Sequence, residues 1–358
     1  MGPSFELVGV MVTETTVVQT AQAAPKKLSW TQLLTPYQQS DTRRSVWQLV
    51  STLAPFAGFW YAAYRSLEIS YALTLAFCTV TAFFGIRIFA LFHDCGHGSF
   101  FKSMKANDIV GSLLGIICFT PYFAWRHEHA LHHATSGDLD RRGAGDVWTL
   151  TYEEYRALPK VKRVLYRLYR NPFVIFVLGP TFAFLILQRI PAMNCIPGPR
   201  EKNSVTFTNF GVLAVITAIG LTIGFQEFFL VHLPVAFISG SIGVWLFYVQ
   251  HQYQNTYWER HEDWDYFQAA LYGSSFYKLP AVLQWFTGNI GFHHIHHLNP
   301  RIPNYRLEKC HKENPIFWDV PPLTLATSFK SVFVRVWDED RHKMIGLRRK
   351  LSPGDSVS

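Results

Sequence analysis

Uncharged stretches of about 20 residues recur along this chain, and they limit the folds open to it. A helix needs about 20 mostly apolar residues to cross a hydrocarbon core about 30 Å thick. Only 16% of the 358 residues are charged while 49% are hydrophobic, and typical soluble domains carry about 25% charged residues. The chain is therefore expected to be an all-α integral membrane protein. The windows that reach or approach this length are 45–64, 69–86, 109–125, 172–188, 203–226 and 228–250.

The basic residues flank these windows and do not form a face on polar segments. A net charge of +8 could by itself indicate a nucleic-acid-binding protein, but such proteins cluster Lys and Arg on one polar surface. Basic flanks are instead typical of membrane spans, where positive charge marks the cytoplasmic side. The pattern predicts contact with a lipid bilayer and no nucleic-acid partner.

Ten of the 15 histidines fall in three short clusters. Residues three or four apart share a helix face, so each cluster is expected to direct two or three imidazoles at one locus. Eight such ligands exceed what one first-row metal takes and predict two metals, with iron, copper, zinc and nickel all compatible with imidazole. His251, just after the last apolar window, is a candidate ninth ligand. The eight are His93, His97, His129, His132, His133, His293, His296 and His297.

The two remaining histidines of these clusters are expected to have other roles. His127 is two residues from His129, so it is expected on another helix face with a structural role. His294 could replace His293 if the local helix is irregular. Metal-bound histidines usually donate their other ring nitrogen to a carboxylate or carbonyl. The favoured carboxylates follow the second cluster: Asp138, Asp140 and Asp146.

The number of membrane crossings follows if all three clusters form one site. They must then lie on one side of the membrane, so successive clusters are separated by an even number of crossings. The window 109–125 lies alone between the first two clusters and is expected to be a re-entrant or interfacial hairpin. The window 172–188 is short, is interrupted by a Gly-Pro pair, and is expected in the interface. Four spans remain, at about 45–65, 70–92, 206–225 and 228–250, the last two turning at Gln226 and Glu227.

The distribution of charge orients this arrangement. On the side away from the histidines the loops hold one basic residue, Arg65, so the histidine side and both termini are expected to be cytoplasmic. The first 27 residues lack the basic start of a signal peptide and are interpreted as part of the mature, poorly ordered tail. The predicted organisation is an N-terminal tail (1–42), a membrane domain (43–340) with a cytosolic helical cap (93–171 and 251–340), and a C-terminal tail (341–358).

Three sequence segments carry a resemblance to a known family. HDCGHGSFF, WRHEHALHHATSGDLDRRGAGDVW and GNIGFHHIHHLNPRIPNY resemble the histidine boxes of membrane-bound fatty-acid desaturases, above all acyl-lipid omega-6 (delta-12) members of bacterial type. The likeness runs from about 43 to 340. It implies a di-iron centre held by the eight histidines, with His251 at the place of a further family ligand. Some animal-type members have an Asn four residues earlier, where this chain has Phe247, so the resemblance supplies no tenth ligand.

The resemblance also implies a reaction. Family members use O2 and two electrons to remove two hydrogens from an acyl chain, and the boxes favour a cis double bond at delta-12, converting oleoyl to linoleoyl. The sequence contains no haem, flavin or iron–sulfur motif, so an external donor such as ferredoxin or a cytochrome is expected. The implied location is a bacterial inner membrane. The basic residues expected to dock an acidic carrier are Arg126, Arg141 and Arg142.

Alternatives remain open at this point. A related di-iron hydroxylase or ketolase shares the boxes but leaves oxygen in the product. A histidine-rich metal transporter or sensor is a different class, and it predicts ionisable residues at mid-membrane depth. Regiochemistry, acyl carrier, electron donor and oligomeric state are not fixed by the sequence. The side chains expected to shape an acyl tunnel are Phe119, Tyr122, Trp125, Trp148, Phe247 and Trp285.

Overall fold

The computed structural model describes residues 29–143, 145–190 and 198–347. The interpretation of the first 27 residues as a poorly ordered tail lies outside the described residues, as does the part of the predicted C-terminal tail from 348 onward. Two segments assigned to the tails are structured. Trp30–Leu34 is a helix whose Leu34 is fully buried, and Lys343–Ile345 is a paired strand.

The described chain is mostly helical. In chain order the helices are α1 (Trp30–Leu34), α2 (Thr42–Ser66), α3 (Tyr71–Gly96), α4 (Met104–Ile117), α5 (Tyr122–Thr135), α6 (Tyr152–Ala157), α7 (Lys160–Tyr169), α8 (Gly179–Leu185), α9 (Pro199–Ile223), α10 (Phe225–His251), α11 (Tyr266–Tyr272), α12 (Ala281–Phe286), α13 (His293–Leu298), α14 (Asn304–Glu313) and α15 (Leu325–Ser328). A π-helical segment, Val174–Leu178, leads directly into α8.

Among the described residues, three helices are long and apolar enough to cross a membrane: α3, α9 and α10. They correspond to the predicted spans 70–92, 206–225 and 228–250, although α9 ends two residues earlier than predicted. The predicted span 45–65 is a helix as well, α2, but α2 is less apolar than the other three. One reason is Gln48, which is buried and donates to Asn304 Oδ1 at 2.8 Å. Two bent helix pairs raise the number of candidate spans to five if each pair counts as one span.

Both bent pairs coincide with windows that the sequence predicts not to cross. Helices α4 and α5 meet at 102°, and α7 meets the segment 174–189 at 58°. Phe119 turns the first pair with a φ of 54°. Its carbonyl accepts a hydrogen bond from the Arg189 guanidinium, so the two bent segments contact each other at this turn.

The turn between α9 and α10 differs from the prediction. It was expected at Gln226 and Glu227, but α9 ends at Ile223 and α10 begins at Phe225. The single residue between them is Gly224, whose φ of 101° is strained for residues with a side chain. Glu227 lies in the first turn of α10, where a carboxylate complements the helix dipole.

The prediction of an all-α fold was wrong, because the described residues include five short strands, four in the segments assigned to the cap and one in the segment assigned to the C-terminal tail. The β-branched and aromatic residues around Val336 and Trp337 favour extended structure. One sheet has the order β1-β4-β5, with β1 and β4 parallel and β4 and β5 antiparallel. In the other, β2 and β3 are parallel. The strands are β1 (Leu150–Thr151), β2 (Phe276–Lys278), β3 (Pro322–Thr324), β4 (Val336–Asp338) and β5 (Lys343–Ile345).

Candidate metal centre

Four helices bring nine histidines together at one end of the bundle. The C-terminal end of α3 supplies His93 and the residue that caps it, His97. The last turns of α5 supply three more, α10 ends at His251, and α13 supplies the final three. Each predicted ligand therefore reaches the cluster. The α5 and α13 members are His129, His132, His133, His293, His296 and His297.

The rings separate into two groups, which we call group A and group B. Group A has five members, whose facing nitrogens all lie within 4.8 Å of one another. Within it, His129 Nε2 is 3.0 Å from His93 Nε2 and 3.1 Å from His133 Nε2. His133 Nε2 is in turn 3.1 Å from His296 Nε2. Group A consists of His93, His97, His129, His133 and His296.

Group B contains the other four rings. The nitrogens of His132, His251 and His297 lie within 4.8 Å of one another, and His251 Nε2 is 3.2 Å from His132 Nε2. His293 joins through its Nε2, 3.0 Å from His251 Nε2. The groups touch where the His133 and His297 rings stack, with centroids 4.1 Å apart.

The expectation that each cluster points at one locus was wrong for the second and third clusters. Consecutive residues on a helix differ by about 100° in direction, whereas residues four apart nearly coincide. On α5, His129 and His133 therefore share group A while His132 points to group B. On α13 the division is reversed, with His293 and His297 in group B and His296 in group A. Each box of the HxxHH type thus contributes to both groups.

The nitrogen geometry fits metal ions. An imidazole nitrogen carries either one hydrogen or one in-plane lone pair, yet the Nε2 atoms of His129, His133 and His251 each face two other nitrogens at 3.0–3.2 Å. Hydrogen bonds cannot account for two such contacts at one atom. Ligands about 2.1 Å from a shared metal lie about 3 Å apart when their bonds are perpendicular. In addition, the buried Nε2 atoms of His97 and His297 have no hydrogen-bond partner within the described part of the chain.

Burial also keeps these rings in the form that binds metal. Desolvation, reinforced by neighbouring histidines, holds the pKa of His293, His296 and His297 well below the ordinary value. Neutral imidazole has a free lone pair, and it suits iron, copper, zinc and nickel. The histidine groups of this chain are thus able to bind metal.

Two group B histidines are fixed through their other ring nitrogen. His132 Nδ1 lies 2.6 Å from Asp146 Oδ1, and His251 Nδ1 lies 3.1 Å from the Gly273 carbonyl. Gly145, with a φ of +66°, lets the loop before Asp146 approach His132, where an added Cβ would lie 3.3 Å from the His132 Cβ. The sequence identified Asp146 but gave no signal for the Gly273 carbonyl.

The other two favoured carboxylates do not reach the histidine groups. Asp138 instead bonds Arg141 Nε at 2.6 Å and His261 Nδ1 at 2.8 Å. Asp140 pairs with Arg260 at 2.7 Å. Both carboxylates hold together the loops of the cap, and their expected role beside a ligand histidine was wrong.

His294 and His127 belong to neither group. His294 is fully buried, but its ring packs against Phe276, Phe317 and His311, and burial lowers its pKa to about 3. The geometry therefore brings His293, and not His294, to the other histidines. His127 is partly exposed on α5, on a face different from that of His129.

A large cavity reaches the histidines from within the bundle. Its volume is about 1370 Å³, and its lining includes His93, His129, His293 and Asp146. Three of the six side chains expected to shape a tunnel line it: Phe119, Trp125 and Phe247. The other three do not line it: Tyr122 is buried and donates to the Cys95 carbonyl, and Trp148 and Trp285 are exposed.

The arginines expected to dock an acidic carrier already have carboxylate partners. Arg126 pairs with Asp108 at 3.0 Å, Arg141 with Asp138 at 2.6 Å, and Arg142 with Glu154. Their positive charge is therefore largely compensated within the cap.

Comparison with known proteins identifies relatives along most of the chain. A family model described as fatty acid desaturase matches residues 69–322. A Bacillus subtilis (strain 168) protein named fatty acid desaturase is 48% identical over 327 residues, 91% of this chain and 92% of that protein. An sn-1 acyl-lipid omega-3 desaturase (ferredoxin) of Synechocystis is 29% identical over 62% of each chain. A Synechocystis sn-1 oleoyl-lipid 12-desaturase is 28% identical over 63% of this chain and 64% of its own.

Proposed function

Because this chain belongs to the fatty acid desaturase family, whose members are oxidoreductases, we propose that it inserts a cis double bond into the acyl chain of a membrane lipid, with O2 and two electrons as co-substrates. The observation that carries this proposal is the convergence of nine histidines into two groups, of which His93, His129 and His293 line a large cavity. A cavity of this kind can hold an acyl chain against both groups. A hydroxylase or ketolase of similar build would leave oxygen in the product.

Group A and group B would each hold one iron. The ligand set is His93, His97, His129, His133 and His296 in group A, and His132, His251, His293 and His297 in group B. Iron fits the reaction because breaking an unactivated C–H bond requires a redox-active metal, which zinc is not. Two irons bound there would supply the oxidant that O2 and two electrons generate.

The protein's own groups aim the ligands. A hydrogen bond from His132 Nδ1 to Asp146 and one from His251 Nδ1 to the Gly273 carbonyl leave each Nε2 lone pair facing group B. Such partners fix the tautomer and ring direction of a metal ligand. Phe247 packs against both rings, with centroid distances of 5.3 Å to His132 and 5.4 Å to His251, and so excludes water from this side of group B.

Regiochemistry requires that the cavity set the depth of the chain, because the carbons of an acyl chain offer no polar handle. The reacting carbons would lie beside His93, His129 and His293, which line the cavity. We propose delta-12 insertion, from oleoyl to linoleoyl. Its support is the resemblance of the histidine boxes and the name of the Synechocystis 12-desaturase relative.

The remaining parts of the proposal concern the membrane and the electrons. Four spans, α2, α3, α9 and α10, would cross a bacterial inner membrane with the histidines and both termini in the cytoplasm. The support is the apolar length of three of these helices and the basic flanks on the histidine side. A separate one-electron carrier such as ferredoxin or a cytochrome would reduce the irons. The ferredoxin in the name of one relative supports this choice.

Lipid analysis tests the function. The chain is expressed in a host that is supplied either with oleate or with saturated fatty acids only, together with a functioning ferredoxin system, and the lipids are analysed by gas chromatography. A diunsaturated product with the new bond at carbon 12 is expected. A new bond at another position would retain desaturation and overturn delta-12. A hydroxylated product, or unchanged lipids, would overturn desaturation.

A further inference from the structure

Helix α7 carries a row of apolar side chains that no part of the described chain covers. Val161, Val164, Leu165 and Leu168 are 71%, 60%, 54% and 55% exposed. Their spacing of three and four residues places them on one face. Contiguous apolar surface of this kind marks a contact with another molecule or with a membrane.

The opposite face fixes the direction of this row. Tyr166 is fully buried and its ring packs edge-on against Trp148, with centroids 5.0 Å apart. Arg163 donates to the Leu158 carbonyl at 3.0 Å, and Arg167 donates to Tyr155 Oη at 2.6 Å. Because these contacts hold α7 against the cap, the apolar row must point outward.

Positive charge borders the row on both sides. Lys160 and Lys162 are exposed, and each differs by about 100° in direction from Val161, which lies between them. Neither lysine forms an ion pair among the described residues, and α7 contains no acidic residue. An apolar stripe flanked by lysines matches a bilayer surface, with acyl chains below and anionic headgroup phosphates beside the ammonium groups.

Further exposed apolar side chains follow this row along the chain. The segment after α7 exposes Phe173, Leu178 and Phe182 by 60%, 52% and 48%. At the same end of α7, Tyr169 lines the cavity together with His129 and Asp146. Helix α7 therefore leads, at its C-terminal end, both to this exposed apolar segment and to the histidine end of the cavity.

We propose that α7 lies in the bilayer interface, with its apolar row among the acyl chains and Lys160 and Lys162 bound to the phosphates of anionic phospholipids. The occupant is the lipid surface and not a protein. One part of the proposal rests on the proposed function: that these lipids supply the acyl chains on which the enzyme acts. The contact itself needs neither iron nor an electron donor.

Quenching of a fluorescent label tests the position of α7. The full chain with Leu165→Cys, labelled with bimane, is placed in nanodiscs of phosphatidylcholine and phosphatidylglycerol, and wild-type protein treated in the same way gives the background. Brominated lipid is expected to quench the label strongly and aqueous iodide weakly. The matched control, Lys309→Cys on α14, whose native side chain is 61% exposed, is expected to show the reverse. Iodide quenching at position 165 equal to that at 309 would overturn the proposal.

The lysines are tested by varying the phosphatidylglycerol fraction. In the proposed arrangement the bimane emission shifts as this fraction rises. Lys160→Gln with Lys162→Gln should weaken binding to phosphatidylglycerol by about fivefold for each lysine, and so raise the fraction needed for half of the shift. The same response in the double variant would overturn the role of the lysines. Added inorganic phosphate should leave the emission unchanged; a shift would indicate binding of the free ion and contradict contact with the lipid surface. If the quenching results are as expected but the lipids of the expression host are unchanged, only the desaturase function is refuted.

Discussion

Groups A and B are neighbours of similar chemistry, but they are built in different ways. Four of the five rings in group A come from two pairs, His93 with His97 and His129 with His133. The two members of each pair are four residues apart, so helix geometry alone aligns them. Group B has four rings, and two of them depend on tertiary contacts, with Asp146 and with the Gly273 carbonyl. In group A, His93 Nδ1 is 3.7 Å from Asp94, too long for a hydrogen bond. Group B should therefore be the more sensitive to changes outside its ligands.

The largest expected effect is the loss of one group B ligand. His132→Ala leaves three histidines in group B, and a metal bound by fewer ligands dissociates more readily. We expect product formation to be abolished, measured by gas chromatography of the host lipids. The matched variant His97→Ala leaves four ligands in group A and should also be inactive, but it should retain its iron better. Full activity of His132→Ala would remove His132 from the ligand set.

Asp146→Asn tests the tertiary support of group B without removing a ligand. The neutral amide accepts the hydrogen bond from His132 Nδ1 less strongly, and loss of such a partner costs about 10–100-fold in metal affinity. Metal titration should show one weakened site and one unchanged site. Asp140→Asn is the control, since Asp140 bonds Arg260 and His261 and no group B histidine. Equal weakening of both sites would contradict the difference between the groups.

Arg170 extends this support to the end of α10. It is 2% exposed and donates to Gln252 Oε1 at 2.8 Å, to Tyr248 Oη at 3.2 Å and to the Val334 carbonyl at 3.2 Å. Gln252 directly follows His251. Arg170→Met removes these buried hydrogen bonds and should lower the unfolding free energy by roughly 1–3 kcal/mol.

The effect of Arg170→Met is measured by thermal unfolding and by iron content. Group B is expected to lose its iron first. The control is Arg167→Met, which removes one bond, to Tyr155 Oη. Iron lost equally from both groups would indicate general unfolding and contradict a specific link between Arg170 and group B.

The smallest effect is expected at His294. Its ring is surrounded by Phe276, Phe317 and His311 and lies in neither group, so His294→Phe should keep both irons and nearly full activity. His293→Ala, one residue away, should lose the group B iron. The same iron loss in both variants would mean that the two neighbouring histidines had been assigned the wrong way round.

Much of the fold was predictable because the membrane imposes simple rules on sequence. The positions of α3, α9 and α10 follow from uncharged windows, and the bend at 118–121 follows from the Gly and Pro residues of window 109–125. The bend at 170–173 was not predicted, because the Gly-Pro pair expected to interrupt window 172–188 lies where the segment 174–178 leads directly into α8. The strands of the cap were missed because each has only two or three residues. A segment so short carries no periodic signal. Whether it forms a strand depends on pairing between distant segments, such as β1 and β4.

The histidines of the site were predictable from the sequence, but their division into group A and group B was not. Side chains on a helix turn by about 100° per residue, so the sequence could have shown that His132 and His133 point in different directions. Only the relative placement of α5, α10 and α13 shows which ring joins which group. Among three similar acidic residues, Asp146 was distinguished from Asp138 and Asp140 by the folding of the loop. That fold depends on contacts with Arg260 and His261, which are more than 100 positions away in the chain.

Iron stoichiometry tests the central claim that the nine histidines form two separate metal sites. Wild-type protein and His132→Ala are purified in parallel, and iron per chain is measured by mass spectrometry. Two irons are expected in the wild type and about one in the variant, because group A keeps all five of its ligands. Two irons in the variant, or a single iron in the fully loaded wild type, would contradict the division into group A and group B.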